Sequence, residues 1–259
     1  MLAVVITRAA AESEQKLVQA ARIAVSITAT GNPNEARLAP LKQEMLQLVR
    51  EGIAINPHYR KITPIVADEL ARWGDWANAT WIWNSVLTSR PYVVAIISNA
   101  ARGYASMGRT DKALAYLERA KRIQPRAPAV RSLEVILVAR SGDDARATQL
   151  ARAAYDAGIK DYDLVNTYFV LAWRARDYPL ALRLLDERMR SWPESRARGL
   201  VQQGLIAAEQ NQAERAVQSF REGLAAATPP ERPLLAEEIP AAFRAQVAAS
   251  GPQTSASSR

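Results

Sequence analysis

The feature that most constrains this chain is a recurrence at a fixed interval. Gly74 returns as Gly108 and Gly142, and Ala79 returns as Ala113, Ala147 and Ala181, at steps of 34 residues. Pro91 returns as Pro125 and Pro193, with Ile159 holding the intervening place and Pro57 one step earlier. A small residue, a turn and a closing proline repeated at this period predict stacked helical hairpins. Each hairpin buries its apolar side only against its neighbours, so the length of 259 residues sets no domain count by itself. The predicted fold is all-α, a right-handed superhelical solenoid of about five hairpins with an N-terminal helix pair and a C-terminal cap. Such a scaffold presents surface to many kinds of partner, so the period predicts fold and leaves the ligand open.

Along the chain, Met1–Thr7 is apolar but far shorter than the roughly 20 residues a bilayer span needs. It reads either as the start of an amphipathic helix or as the outer end of a membrane helix that begins upstream. The pattern predicts a helix over Ala10–Thr28, with Leu17, Ala20, Ala24 and Ile27 on one face, a break at Thr30–Asn34, and a second helix over Glu35–Ala54. Residues 1–57 are thus the N-terminal helices and a partial repeat, and 58–228 the fuller repeats, the fifth one residue out of step. Each splits at a polar turn: Gly74-Asp75, Gly108–Asp111, Ser141–Asp144, Arg176-Asp177 and Gln210–Gln212. Glycine there supplies the left-handed end of the first helix, and Asp or Thr the cap of the second. Residues 229–250 are expected to seal the last core through Leu234, Leu235, Ile239 and Phe243, with Pro240 limiting any helix. Residues 251–259 form a small-polar tail expected to be disordered.

The alanine at the start of each second helix has a physical reason. Two helices cross closely only where one side chain is small. Ala79, Ala113, Ala147, Ala181 and Ala216 take that place, opposite Ala67, Ala101, Val135, Phe169 and Gly204. Four residues on, Trp83, Leu117, Ala151, Leu185 and Phe220 fill the core. With Gly74, Trp76, Ala79, Trp83 and Pro91, then Tyr104, Gly108, Ala113, Ala120 and Pro125, the pattern over Lys61–Thr228 resembles the tetratricopeptide repeat. The third and fifth units depart from it.

Chemistry is bounded mainly by what is missing. The chain has no cysteine and one histidine, His58, which excludes disulfides, thiolate metal sites and cysteine nucleophiles, and a histidine triad outside that position. His58 itself reads as a surface or capping residue. No glycine-rich phosphate loop occurs, and Asp143-Asp144 and Glu237-Glu238 read as capping and solvation. No catalytic residue, metal site or cofactor is expected. A net charge of +8 favours acidic partners or simply a soluble basic surface. The candidate ligand-binding residues lie on the first helices, whose outward positions line the concave side of a hairpin stack: Lys61, Arg72, Arg102, Arg140, Asn166, Trp173, Arg174 and Arg198. They read either as a basic groove whose arginine forks match carboxylate or phosphate, or as helix-end arginines that complement the macrodipole. Trp76 and Trp83 fit core positions; Trp73 and Trp81 are less constrained and are candidates for exposure.

A second resemblance is carried by Asn56-Pro57, Tyr59–Ile62, Ala67-Asp68, Gly74–Ala79 and Ser89–Pro91. This run resembles the soluble C-terminal region of bacterial O-antigen polymerases and ligases and O-linked oligosaccharyltransferases, in which a membrane portion transfers glycan from a polyprenyl-diphosphate carrier. The resemblance implies a periplasmic, membrane-associated domain that holds an acceptor, an anionic glycan or lipid-linked ligand, or a partner protein. It carries no catalytic residue to this chain, since that family's catalytic loop and membrane helices are not in this sequence. The alternative is a free-standing, soluble cytoplasmic scaffold that holds an acidic peptide. Nucleic acid ranks last, because the basic-aromatic interleaving of its modules is missing.

Overall fold

The computed structural model describes residues 2–56 and 62–248, with side chains from residue 8 onward. His58, Lys61 and the expected disordered tail lie outside the described residues. Among these residues every regular element is helical. The chain divides into two compact units, residues 1–141 and 142–259.

The first unit holds α1 (Leu2–Ala29), α2 (Ala39–Ile55), α3 (Thr63–Arg72), α4 (Trp76–Ser89), α5 (Val94–Ser106), α6 (Thr110–Ile123) and α7 (Pro128–Arg140). α1 packs on α2 and on α3, and α3–α4 and α5–α6 form hairpins. α1 begins well before the expected Ala10. α2 starts later than expected, after a 3-10 turn at Ala36–Leu38, with Pro40 in its first turn. Proline lacks the N–H that a helix interior requires and fits this first turn, where that donor is unused.

The second unit holds α8 (Asp144–Asp156), α9 (Tyr162–Arg174), α10 (Tyr178–Ser191), α11 (Arg196–Glu209), α12 (Ala213–Ala226), α13 (Glu231–Glu238) and α14 (Ala241–Ala248). α9–α10 and α11–α12 are hairpins, and α13 and α14 pack on α12.

Each turn from a first helix to the next is built on one left-handed residue. Gly74, Gly108 and Gly142 have φ of +84°, +72° and +87°, and the same role falls to Arg176 at +58° and Asn211 at +59°. The residue after it donates back across the turn: Asp75 N to Leu70 O at 2.8 Å, Arg109 N to Tyr104 O at 2.8 Å, and Asp177 N to Ala172 O at 2.9 Å. This satisfies a carbonyl that the helix end leaves open. Asp75, Asp143 and Asp177 cap α4, α8 and α10 through the backbone N–H groups of Asn78, Arg146 and Leu180. Thr110 does not cap: it is the first residue of α6, and Arg109 at the cap offers no side-chain acceptor.

The five crossing alanines are all fully buried, and Trp83, Leu117, Ala151, Leu185 and Phe220 are buried four residues on. The closeness of one crossing is explicit. A Cβ added at Gly204 would stand 2.6 Å from the Phe220 ring and 3.1 Å from Ala216 O. Leu235 and Ile239 seal the second unit's core and Phe243 stacks on Phe220 with ring centroids 5.6 Å apart. Leu234, expected to face inward, points to solvent, because α13 ends at Glu238 and its single turn of apolar contact is taken by Leu235 and Ile239. No helix among the described residues is long and apolar enough to cross a membrane.

Candidate functional site

The first-helix residues fall on two separate units. In the first, Arg72 closes α3 and pairs with Glu69 at 2.7 Å. Arg102 sits half-buried on α5, and Arg140 is exposed as the last residue of α7. Between them on α3, partial burial raises the Asp68 carboxyl above its ordinary range, an effect that Arg72 and Arg102 oppose.

Trp73, one of the two candidates for exposure, is packed instead. It is buried, with its indole Nε1–H donating to Thr28 Oγ1 of α1 at 2.8 Å, while Asn34 Nδ2 donates to its carbonyl at 3.2 Å. The added layer of α1 covers a ring that repeat spacing alone leaves open. Trp81 is 39% exposed, with the Arg50 guanidinium 5.9 Å from its ring centre.

In the second unit Trp173 donates its indole N–H to Glu209 Oε2 at 3.1 Å, and Tyr178 donates to the same oxygen at 3.1 Å. Arg174 faces Asp144 at 3.4 Å, and Arg198 pairs with Glu238 of α13 at 3.1 Å. These arginines are exposed, so each such pair contributes at most about 1 kcal/mol and exchanges readily for another carboxylate.

Asn166 leads to a residue that the spacing argument passed over. Seven residues after each crossing alanine, the second helices carry Val86, Ala120, Ala154, Arg188 and Gly223. The place is buried in every repeat, and at Gly223 a Cβ would meet Val201 at 2.8 Å and Ala197 O at 3.0 Å. Four repeats keep it small or aliphatic; the fourth sets a guanidinium there, 1% exposed. From α10, Arg188 donates to Asn166 Oδ1 on α9 at 2.5 Å and to Gln202 Oε1 on α11. Its guanidinium carbon lies 5.0 Å from the Phe169 ring centre.

Both terminal nitrogens therefore meet neutral amides, and Nε–H has no partner among the described residues. Burial pulls the Arg188 pKa below the ordinary arginine value; Tyr162 opposes this shift and Arg198 adds a smaller one in the same direction as burial. An arginine nevertheless stays charged. A buried ion held by neutral groups costs several kcal/mol that well-packed apolar residues would avoid. Guanidinium nitrogens only donate, so each amide must turn its oxygen toward Arg188 and its NH2 away. The NH2 groups of Asn166 and Gln202, both half-buried on first helices, are thereby turned away from Arg188. The signal for Arg188 is in the sequence: it is the one long polar side chain at that step of the period.

The second helices carry a different feature. An open cleft of about 870 Å³ lies along α8 and α10, lined in part by Arg152, Tyr155, Lys160, Asp186 and Glu187. Tyr155 donates to Glu187, and Lys160 pairs with Glu187 at 3.2 Å and lies 4.6 Å from the Tyr155 ring centre. Burial, with Glu187 beside it, raises the Tyr155 phenol above its usual value. Acidic and basic side chains are equal in number along the cleft, and Lys160 with Glu187 forms an ion pair within it. No group of acidic or histidine side chains able to hold a metal occurs among the described residues.

No known family's sequence pattern matches the chain, and none of the curated proteins searched matches it. Solved structures do. The crystal structure of the APC/C hetero-tetramer Cut9–Hcn1 aligns with a TM-score of 0.62 at 12% identity, covering 80% of this chain and 39% of that one. This chain thus spans about two fifths of that protein. A tetratricopeptide repeat protein from Parabacteroides merdae aligns with a TM-score of 0.60 at 15% identity, covering 86% of this chain and 97% of that one. PilW, described as a widely conserved type IV pilus biogenesis factor, aligns with a TM-score of 0.55 at 17% identity over 73% of this chain and 87% of its own. At these identities the likeness speaks of architecture alone: the chain has the helical-hairpin fold of tetratricopeptide-repeat proteins.

Proposed function

We propose that this chain is a non-catalytic interaction module that holds an acidic protein segment on the first-helix face of its second unit. The observation that carries the reading is that Asn166 and Gln202 both hold the buried charge of Arg188, with Arg198 one helical turn before Gln202 on α11. Two amides with their donors turned outward, together with exposed arginines whose present partners are replaceable, suit carboxylates and backbone carbonyls. The net charge of +8 supports an acidic partner and speeds its encounter. The test is a fluorescence-anisotropy titration of a labelled acidic peptide, acetyl-(Glu-Ala)3-amide, at low salt. Arg174→Glu with Arg198→Glu weakens its binding several-fold with helicity unchanged; equal affinity removes the first-helix face of the second unit from consideration.

The finer reading is an association with a membrane polymerase or ligase of surface glycans, on the periplasmic side. The run Asn56 through Pro91 supports it by resemblance. On this reading the module presents an acceptor, an anionic glycan or a partner subunit to that enzyme. Immunoblotting of fractionated native cells with an antibody against this chain separates the two. A membrane-fraction band well above 28.5 kDa, cleaved by protease from the periplasm, fits the glycan enzyme. A soluble band near 28.5 kDa fits the free-standing scaffold.

A further inference from the structure

We infer that Arg188 is a positioning residue for a carboxylate site between α9 and α11, in which it locks the Asn166 and Gln202 amides with their NH2 groups toward a ligand and supplies the uncompensated charge that the ligand's carboxylate neutralises. The inference deepens the interaction-module reading and rests on it.

The argument starts from register. The step seven residues past the crossing alanine is otherwise Val86, Ala120, Ala154 or Gly223, and Arg188 breaks that rule at a buried place. A structural role alone is served by the small residue the other repeats use. Arginine there gains nothing from an acidic partner, since its terminal nitrogens meet two neutral amides and its Nε–H meets no partner among the described residues. What it does achieve is directional. Asn and Gln amides otherwise rotate between two orientations; a donor-only group fixed behind both leaves one. The two amides come from neighbouring first helices, so their locked NH2 groups form a fixed pair of donors. Arg198, one helical turn before Gln202 on α11, completes the site with an exposed guanidinium. Its present partner is Glu238, a carboxylate of this chain's own C-terminal segment. A glutamate side chain thus already occupies the outer rim, which is the chemistry the site selects.

The experiment uses the full chain and two labelled probes: acetyl-(Glu-Ala)3-amide, whose carboxylates are all side chains, and acetyl-(Ala)6 with a free C-terminal carboxylate. Affinities are measured by anisotropy and thermal unfolding is followed in the absence of ligand. Asn166→Asp places a carboxylate beside Arg188, giving it an internal counter-charge and removing one donor. The expected result is a raised Tm together with at least tenfold weaker binding of whichever probe the wild type prefers. Arg188→Met removes the lock and weakens the same probe at least tenfold, and Arg188→Lys does not restore it, since one ammonium does not span both amides. Preference for the first probe assigns acidic side chains as the source, and for the second a chain terminus. If Arg188→Met does not fold, Asn166→Asp decides alone. Binding to the wild type that neither substitution weakens overturns this inference and leaves the interaction module standing. Absence of binding by either probe overturns both.

Discussion

Trp73 and Thr28 are 45 residues apart in sequence and joined by a hydrogen bond of 2.8 Å, indole Nε1–H to hydroxyl oxygen. Thr28 passes its own proton on to Glu69 Oε2 at 2.6 Å, and Glu69 is in turn held by Arg72. This relay fastens the N-terminal helix pair to the first hairpin. Glu69 is 8% exposed, so its side-chain oxygens depend on these donors in place of water. Thr28→Val keeps the shape of the side chain and removes both the acceptor for Trp73 and the donor to Glu69. The expected loss is about 1–3 kcal/mol, read as a lower urea midpoint with the m-value unchanged. A midpoint equal to wild type means the relay contributes nothing.

Gly204 marks a close crossing of α11 on α12, with Phe220 2.6 Å from where a Cβ would stand. Gly204→Ala drives a methyl into Phe220, at a cost of about 1–3 kcal/mol from overpacking. Phe220→Leu alone destabilises through a cavity, yet together with Gly204→Ala the two losses are less than additive, because the smaller side chain makes room for the methyl. A double-mutant cycle in urea reads the coupling; strict additivity contradicts the contact.

Asp68 gives a pH signature. Its folded pKa is raised by burial, so ionisation disfavours the folded state. The sign follows from that: its contribution is fully favourable below the unfolded value of about 3.9 and declines as pH rises through the raised folded value. Asp68→Asn is therefore more stable than wild type at pH 7, and the difference closes near pH 3. Chemical denaturation at the two pH values checks it, and a difference of equal size at both contradicts the assignment to ionisation.

Glu238 holds Arg198 from the C-terminal segment. Glu238→Gln frees the guanidinium at a cost of about 0.2–1 kcal/mol, the worth of an exposed ion pair. The acidic peptide is expected to bind several-fold more tightly to this variant. Weaker binding means that Glu238 belongs to the site rather than competing for it.

Much of the fold was legible because its determinants recur. Gly74, Gly108 and Gly142 mark turns that need a left-handed residue, and Ala79 through Ala216 mark crossings that need a small one. Arg176 and Asn211 perform the same turn without glycine, and only the period identifies them. Asn tolerates that conformation; Arg176 is held there by the turn around it. The period alone does not place Trp73, because its cover comes from α1, outside the repeat. Leu234 and Leu235 were indistinguishable until the short α13 chose between them. Among the candidate site residues, Asn166 accepts from Arg188, and Arg198 stands one helical turn before Gln202 on α11. Arg188 stands in register with four small or aliphatic residues, but its meaning depends on Asn166 and Gln202, which lie 22 and 14 residues away on different helices.

The most direct measurement is a residue-resolved NMR titration of the isotope-labelled chain with acetyl-(Glu-Ala)3-amide. The account predicts that the largest shifts fall on α9 and α11, on the side-chain NH2 groups of Asn166 and Gln202 and the Nε–H of Arg188. Shifts centred instead on Tyr155, Lys160 and Glu187 in the second-helix cleft, or no shifts at all, contradict it.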